Sequence, residues 1–437
     1  MRVFTTFLML LMSVGGIMAQ RDSFPEEIAR EKLIRSTHVI SVGQPDSTVS
    51  HLDSAIVMIG RFYADQFRNF QDPSAPYFMF MSKNAELAMG IGGVVRLRGW
   101  YGWNGALQTN GFSPYSIPIP KNPAKLRELD ATPAGCAIYL NIMAHKPWMG
   151  YLNAYIEGNF DGYLHTGFKL KKAYVTLNDF TAGYVTSTYS DPAALAPTID
   201  GAGSNGKIDR SNLLLRYMHT FKKGWTVAGS FEFPKSYITT TEGLTEKCSD
   251  YVPDLAAFAQ YQWHGGLSHI RLSGLLRVSS YRDLLAERNY NVAGWGAMLS
   301  GMVKAARPLT LYASVSYGHG QGSYQGDLRI GNYDLVPDLD NPGRLYAPRS
   351  IGVTAGARYF FKSNIYAAGS FGTTRYYRKQ KVYDAEYRQG IYGAVNIFWD
   401  LTPRLQVGAE YLVGKRTNFN HQHAFADRVD ALLQFAF

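Results

Sequence analysis

The chain has 437 residues, a formal net charge of +10 and a mean hydropathy of -0.17. A single soluble all-β domain of this length would be unusual. The 30 Tyr, 24 Phe and 43 Gly, scattered along the chain, favour short strands that bury every second residue. The positive charge does not indicate a nucleic-acid partner, because the arginines alternate along predicted strands instead of forming a basic patch with stacking aromatics.

The N-terminus has the pattern of an export signal, predicted at residues 1–19. Arg2 precedes an apolar run at residues 7–12, and small residues lead to a cleavage site after Ala19. No later run of 18 uncharged apolar residues is present, so the sequence predicts no transmembrane helix. We therefore expect an exported chain whose membrane-spanning part, if it has one, is built from strands.

Residues 20–84 are predicted to form a periplasmic N-terminal segment that is partly helical. A short charged helix is indicated from Glu26 to Arg35, and apolar residues recur at helical spacing within 52–70. Two interpretations of 52–70 remain open at this stage. The segment either packs as a helix below the rest of the chain or enters its interior and partly closes it.

Residues 85–437 contain repeated segments in which apolar and polar residues alternate. Seven tight turns alternate with eight longer polar segments, which divides the region into sixteen strands. The last segment alternates without interruption up to the C-terminal Phe437. Because lipid cannot satisfy an open sheet edge, the pattern predicts an all-β fold, a closed transmembrane antiparallel β-barrel of sixteen strands. The predicted turns lie near 145–148, 178–179, 222–224, 264–266, 305–308, 362–364 and 400–403, and the predicted loops are 104–132, 160–164, 189–206, 235–252, 280–290, 320–347, 377–386 and 416–424.

Strand phase predicts which charged side chains face the lumen, the space inside the barrel. A charge on the lipid face near the bilayer midplane costs roughly 2–4 kcal/mol, so the charged face of each strand must point inward. The basic residues predicted to line a pore are Arg96, Arg98, Lys169, Lys171, Arg210, Arg216, Arg271, Arg277, Arg358 and Arg428. The predicted acidic residues of the lumen and of the third loop are Glu157, Glu232, Glu410, Asp430, Asp191 and Asp200.

The third loop, residues 189–206, is rich in Ala, Pro and Gly and contains enough apolar residues to require packing. We therefore predict that the loop folds into the lumen and packs on the wall; the alternative is a loop that packs over the outer mouth, which would have a similar composition. The run Gly183-Tyr184-Val185-Thr186-Ser187-Thr188 and the loop that follows it resemble the constriction-loop signature of the DcaP-type trimeric outer-membrane porins. Weaker similarities to that family lie at residues 92–96 and 169–174.

Within that family, the sequence resembles a Bacteroidetes-like member. The resemblance implies a homotrimeric sixteen-stranded porin in the outer membrane of a Gram-negative bacterium. It implies passive diffusion of small hydrophilic solutes with a preference for anions, dicarboxylates among them. The excess of inward basic residues also favours anions, because a narrow lumen focuses the field of its charges. Alternatively, the arginines pair with the acids, stiffen the wall and produce little selectivity. The family's periplasmic coiled coil has little counterpart in this sequence.

A different class of function also fits the sequence, a non-conducting barrel that serves as an interaction or assembly platform through loops 104–132 and 320–347. These loops contain Phe112, Tyr115, Tyr324 and Tyr346, which would either meet a partner or pack over the mouth.

An enzyme is not expected, because no Ser lies in a nucleophile elbow. No metal-ligand spacing is present, and no cofactor is expected. Cys136 and Cys248 either form a disulfide or remain two unpaired thiols. The expected partners are small anionic or polar solutes, outer-membrane lipid and the barrel assembly machinery, which would read the C-terminal Phe437.

Overall fold

The computed structural model describes residues 24–42, 76–82, 86–105, 110–146, 148–161, 167–221, 224–379, 381 and 383–437. The predicted signal peptide and the segment 52–70 lie outside these residues. Among the helices in the described part of the chain, none is long and apolar enough to cross a membrane.

The described chain is mostly β-structure, with two short helices. In chain order the elements are α1 (Pro25–Arg35), β1 (His38–Val42), β2 (Phe78–Ser82), β3 (Leu87–Trp103), β4 (Glu128–Thr132), β5 (Ala137–Lys146), β6 (Gly150–Phe160), β7 (Phe168–Leu177), β8 (Phe180–Thr186), β9 (Ser211–Thr220), β10 (Trp225–Glu232), β11 (Thr245–Lys247), β12 (Asp254–Trp263), β13 (Ser268–Asp283), β14 (Arg288–Ala306), β15 (Leu309–His319), α2 (Gly326–Ile330), β16 (Val336–Pro337), β17 (Leu345–Tyr346), β18 (Arg349–Lys362), β19 (Ile365–Tyr377), β20 (Tyr387–Asp400), β21 (Leu405–Asn418) and β22 (His423–Ala436).

Sixteen of the described strands form the predicted closed antiparallel barrel. The wall consists of β3, β5 to β10, β12 to β15 and β18 to β22, each paired with its neighbour in the chain. The barrel closes where β22 pairs with β3, in the register Asp427 opposite Trp103 to Ala436 opposite Val94. Closure leaves no unpaired edge in the wall, which satisfies the backbone in lipid.

The two faces of the wall differ as the alternation predicts. On β3, Val95 is 58% exposed on the outer face, whereas Arg98 on the inner face is 4% exposed. On β13, Leu272 is 60% exposed and its neighbour Arg271 is 1% exposed. The outer face of the barrel is therefore an apolar surface suited to lipid, and charged side chains lie inside it.

Short turns connect the strands at one end of the barrel, at the seven predicted positions. Between β7 and β8, Asn178 adopts a φ of 51°, the left-handed conformation that a tight hairpin turn requires and that Asn tolerates. At the opposite end, two predicted loops are shorter than expected. In place of the predicted loop 280–290, the structure has a loop of residues 284–287 between β13, which ends at Asp283, and β14, which begins at Arg288. In place of the predicted loop 416–424, it has residues 419–422, because β21 continues to Asn418 and β22 begins at His423. In both hairpins the strand pairing continues beyond the membrane, where polar side chains are hydrated. A change from apolar to polar residues therefore does not mark where these strands end.

The strand β8 has only seven residues, and it determines the route of the third loop. The chain leaves the wall at Thr186, passes through the lumen and rejoins the wall at Ser211, the first residue of β9. The helix α2 and the hairpin of β16 and β17 belong to a second long segment, residues 320–348, that also folds inward. The interior is thus partly filled by loops rather than by a packed core.

Candidate solute pathway and its constriction loop

The segment 187–210, here called the constriction loop, has three main attachments to the interior of the barrel, besides hydrogen bonds to Arg98, Arg216 and Glu232. At the first, His269 and Ser300 contact the Asp191 carboxylate at 2.9 and 2.6 Å, and an Arg271 nitrogen lies 3.6 Å from its other oxygen. Burial by itself would raise the pKa of Asp191. The charges of Arg271 and His269 outweigh that effect and hold the pKa well below its usual value. This end of the loop is therefore attached to β13 and β14 by a buried carboxylate.

The second attachment uses the backbone of the loop. The amides of Ile199 and Asp200 donate to the Glu410 carboxylate at 2.9 and 2.7 Å, and the Asn396 side chain donates to the same group at 2.7 Å. Arg428 donates to Asp200 at 3.0 Å. The middle of the loop is therefore fixed to the side chains of β20, β21 and β22.

The third attachment joins the constriction loop to α2 and to β19. The Asn205 side chain donates to Asp327 at 2.6 Å, and the Thr374 hydroxyl donates to the Asn205 carbonyl at 2.7 Å. Next to this contact, a Cβ on Gly206 would clash with the carbonyl oxygen of Val353. Glycine allows the loop backbone to approach the wall this closely.

All ten predicted basic residues belong to strand faces or loops that point into the barrel, but six of them differ from the expectation. Arg98, Arg210, Arg216, Arg271, Arg277 and Arg428 are between 0 and 5% exposed. Instead of facing water, they bind the loops. Arg98 donates to the Ile199 carbonyl at 3.2 Å, and Arg216 donates to the Thr188 hydroxyl at 2.8 Å. The loops that cover these arginines supply acceptors that strand phase does not reveal.

The predicted acids are likewise buried. Glu232 accepts the Ser187 hydroxyl and the Thr188 amide, each at 2.9 Å, at the start of the constriction loop. Asp430 lies 2.8 Å from Arg428. Glu157 is 0% exposed and accepts from Tyr155. Together with Glu410, Asp191 and Asp200, these carboxylates bind donors of the wall and the loop.

The remaining basic residues keep part of their side chains in water. The side chain of Lys169 is 49% exposed and pairs with Asp161 at 3.0 Å, and the side chain of Lys171 is 33% exposed and pairs with Glu157 at 2.9 Å. Arg96 is partly exposed and donates to Gln434. On the loop itself, Lys207 pairs with Asp209 at 2.9 Å. Sequence reasoning missed Lys207 because the loop was expected to end one residue earlier.

Two lysines of β7 reach water although the inner faces of the neighbouring strands are largely covered. On β5 and β6, Tyr139, Asn141 and Asn159 are 1%, 3% and 9% exposed. Lys169 lies opposite the inward-facing Asn159, and Lys171 pairs with the buried Glu157, so both lysines point into the lumen. They are the accessible charges that strand phase correctly placed on this part of the wall.

The helix α1 lies inside the end of the barrel that has the short turns. Glu26 pairs with Lys304 and Arg358, at 2.5 and 2.7 Å, and accepts from Thr310 at 3.2 Å. Burial would raise the pKa of Glu26, but the two cations outweigh burial and lower it. At the other end of the helix, Arg404 donates to the hydroxyl of Ser36 at 3.0 Å. The helix thus spans part of this mouth, from β14 and β18 to the β20–β21 turn.

Cys136 and Cys248 are both free in the structure, which leaves the second of the two sequence-based alternatives. The Cys136 sulfur instead contacts the backbone of Arg96. Among the described residues, no group of His, Cys, Asp and Glu is arranged to hold a metal ion.

Solved structures share this architecture. The outer membrane channel DcaP of Acinetobacter baumannii superposes with a TM-score of 0.70 at 20% identity, over 82% of this chain and 99% of that chain. The chain has the fold of the DcaP-type outer-membrane porins. An anion-selective porin from Comamonas acidovorans gives a TM-score of 0.51 at 10% identity, over 80% of this chain and 100% of its own. OmpF of Salmonella typhi, in complex with daunomycin, gives 0.51 at 8% identity, over 81% and 99%.

No family model matches the sequence, and no curated protein matches it. The structural comparison therefore carries the assignment of the fold. A closed barrel of this kind, with an apolar outer face and polar interior, resides in the outer membrane of a Gram-negative bacterium.

Proposed function

We propose that the protein is a porin for the passive diffusion of small hydrophilic solutes and has no catalytic role. The observation that carries the proposal is the pair of water-accessible lysines on the inner face of β7, beside a loop that narrows a sixteen-stranded lumen. A barrel of this size encloses an aqueous interior. The constriction loop narrows that interior and leaves Lys169 and Lys171 in contact with water.

We further propose a preference for anions, with dicarboxylates as the class of solute. The six predicted acids are buried against donors, whereas Lys169, Lys171, Lys207 and Arg96 retain exposure. The side chains of Asp161 and Asp209, which pair with Lys169 and Lys207, are 31% and 51% exposed and reduce this excess of positive charge without removing it. In a narrow, low-dielectric passage, the accessible charges determine the local concentration of counter-ions. Lys169 and Lys171, which lie two residues apart on β7, favour a solute that carries two carboxylates.

The proposed assembly is a homotrimer, as the resemblance to DcaP-type porins implies. Its test is the mass of the detergent-solubilised protein measured by native mass spectrometry. Recognition of Phe437 by the assembly machinery is also a proposal. Its support is that the last residue completes the barrel seam, where Phe437 and Gly93 exchange two backbone hydrogen bonds of 2.9 and 3.0 Å.

The platform alternative receives less support. Its aromatic residues Phe112 and Tyr324 are 1% and 0% exposed, and Tyr115 and Tyr346 are partly buried against the aromatic cluster around Tyr333. Side chains packed over the mouth in this way do not present a surface to a partner.

The test is the conductance and zero-current potential of the purified protein in a planar bilayer under a salt gradient. Three-step conductance with a reversal potential on the anion side is expected of an open, anion-preferring trimer. Absence of conductance from folded protein would overturn the porin proposal, and competition by a dicarboxylate would then be irrelevant. A cation-side potential would overturn the anion preference and leave the porin proposal intact.

Charge reversal tests the proposed selectivity surface. Replacing both Lys169 and Lys171 by Glu is expected to shift the reversal potential toward cations, because both side chains reach water inside the lumen. Lys381→Glu is the matched control, since its side chain is 80% exposed on an outer loop. An equal shift in the control, or no shift in the double variant, would contradict the assignment. The buried Arg98 and Arg216 are unsuitable for this test, because reversing them would disrupt the loop attachments.

A further inference from the structure

A cavity lies in the wall at the end where the long loops are, with outward-facing apolar residues on one side and the inward-facing Arg210 and Asn212 behind it. Its volume is about 480 Å³, and it opens beside the ends of β8, β9 and β10. The cavity exists because β8 stops at Thr186 and its chain turns into the lumen, while β9 begins only at Ser211. The missing wall leaves a notch in the rim of the barrel, here called the rim cavity.

The two ends of the rim cavity differ in polarity. Tyr184, Leu213 and Phe233 line the side toward the apolar band, and Leu213 and Phe233 are 47% and 63% exposed on the outer face. Lys235 and Arg329 line it toward the loops. The apolar side chains lie at the depth of the membrane, and the cations lie above them at the interface. This arrangement fits a ligand with a hydrocarbon part and an anionic part.

The cations are held in place by their neighbours. Arg329 donates to the backbone carbonyl of Asp209 at 3.2 Å, and the Asp209 carboxylate pairs with Lys207 at 2.9 Å. Lys235 lies 5.6 Å from the ring centre of Tyr237. The only carboxylate that the described lining residues contribute is thus already paired, and the cavity keeps a net positive charge.

We propose that the rim cavity binds the phosphate group of an outer-leaflet lipid. The phosphate lies between Arg329 and Lys235, and an acyl chain follows the surface of Leu213 and Phe233. A planar guanidinium together with an ammonium group is the donor set that proteins use for phosphate. The site adjoins the lumen, since Asp209 in its lining pairs with Lys207, but its apolar lining belongs to the outer face of the wall and gives it a ligand class of its own.

The experiment uses the folded, detergent-solubilised protein and phosphorylated lipid A as the probe, with native mass spectrometry as the readout. We expect one tightly retained lipid A per protomer and a loss of retention of at least about tenfold in the double variant Lys235→Glu, Arg329→Glu. The matched control is Lys415→Glu, a lysine that lies 5.1 Å from the ring centre of Phe425, outside the rim cavity. Lys235→Gln gives a second, milder variant in case the double variant does not fold.

Two further probes separate the sources of the phosphate. We expect the wild type to retain phosphatase-treated lipid A no better than the double variant retains the phosphorylated lipid. Inorganic phosphate alone is expected to bind to the wild type far more weakly than the lipid does. Equal retention by the wild type and both variants would overturn the proposal, as would equal loss in the control. Inorganic phosphate binding as tightly as lipid A would overturn the lipid assignment.

Discussion

Replacing Glu410 by Gln should loosen the constriction loop without disrupting the barrel. The Glu410 carboxylate is 2% exposed and accepts three hydrogen bonds, from the amides of Ile199 and Asp200 and from the Asn396 side chain. Glutamine has the same shape, but one of its two terminal atoms is a donor. In E410Q at least one buried N–H group must therefore face an NH2 group.

The magnitude follows from the cost of that mismatch. A buried donor left without an acceptor costs about 1–3 kcal/mol. Since 1.4 kcal/mol is a factor of ten, the population of the detached loop should rise roughly 5- to 150-fold. The change is local, because the attachments at Asp191 and Asn205 remain.

The assay is the current noise of single channels in a planar bilayer. E410Q should show more frequent brief changes in conductance than the wild type, at the same mean ion selectivity. The matched control is E157Q, which removes the same charge from the lumen. Glu157 is also fully buried, but it contacts Tyr155 and Lys171 instead of the constriction loop.

Two outcomes would refute the reasoning. If E410Q is as quiet as the wild type, the Glu410 carboxylate does not hold the loop in place. If E157Q is as noisy as E410Q, the effect comes from lost charge rather than from lost attachment. Folding of both variants is checked by their resistance to unfolding in detergent.

Three further predictions concern the N-terminal helix, an outer loop and the glycine of the third attachment. Glu26→Gln should lower the hydrogen-exchange protection of residues 25–35, because its carboxylate no longer binds Lys304 and Arg358. Since the pKa of Glu26 is lowered in the folded state, the wild-type helix should lose this protection only as pH falls below about 4.5. Burial raises the pKa of Glu386 to about 7, so the stability contributed by its protonated form is lost as pH rises from about 4.5 through 7. The protection factors of its loop, which are exchange rates corrected for the intrinsic base-catalysed rate, should therefore fall between about pH 5 and 8, and Glu386→Gln should abolish that fall. Gly206→Ala should increase channel noise or lower the folded yield, because its Cβ would meet the Val353 carbonyl; wild-type behaviour would contradict this.

The barrel was predictable from the sequence because its pattern is local. Alternation along each strand is imposed by the two environments of the wall, so Leu272 beside Arg271 already indicates which side faces lipid. The turns were predictable for the same reason, since residues such as Asn178 and Asp179 interrupt the alternation within two positions. The ends of the strands toward the long loops were less predictable, because a strand that continues into water has no apolar face to mark it.

The partners of the interior charges were not predictable, because they lie far apart in the sequence. Strand phase places Arg428 and Glu410 inside the barrel, but it does not show that both bind the same loop, more than 200 residues away. For this reason, six arginines expected to line a pore are buried under loops. The proposed selectivity surface is consequently reduced to the lysines of β7 and their neighbours.

By itself, the sequence determined a sixteen-stranded membrane barrel, the inward direction of its charges and a third loop unusual enough to identify. Those features depend on residues close in the chain and on the contrast between lipid and water. The tertiary structure alone decided which charges are neutralised and which reach water, where α1 sits in the mouth, and that the short β8 leaves a cavity at the rim. Each of these depends on segments that meet only when the barrel closes, so the local alternation of the chain carries no record of them.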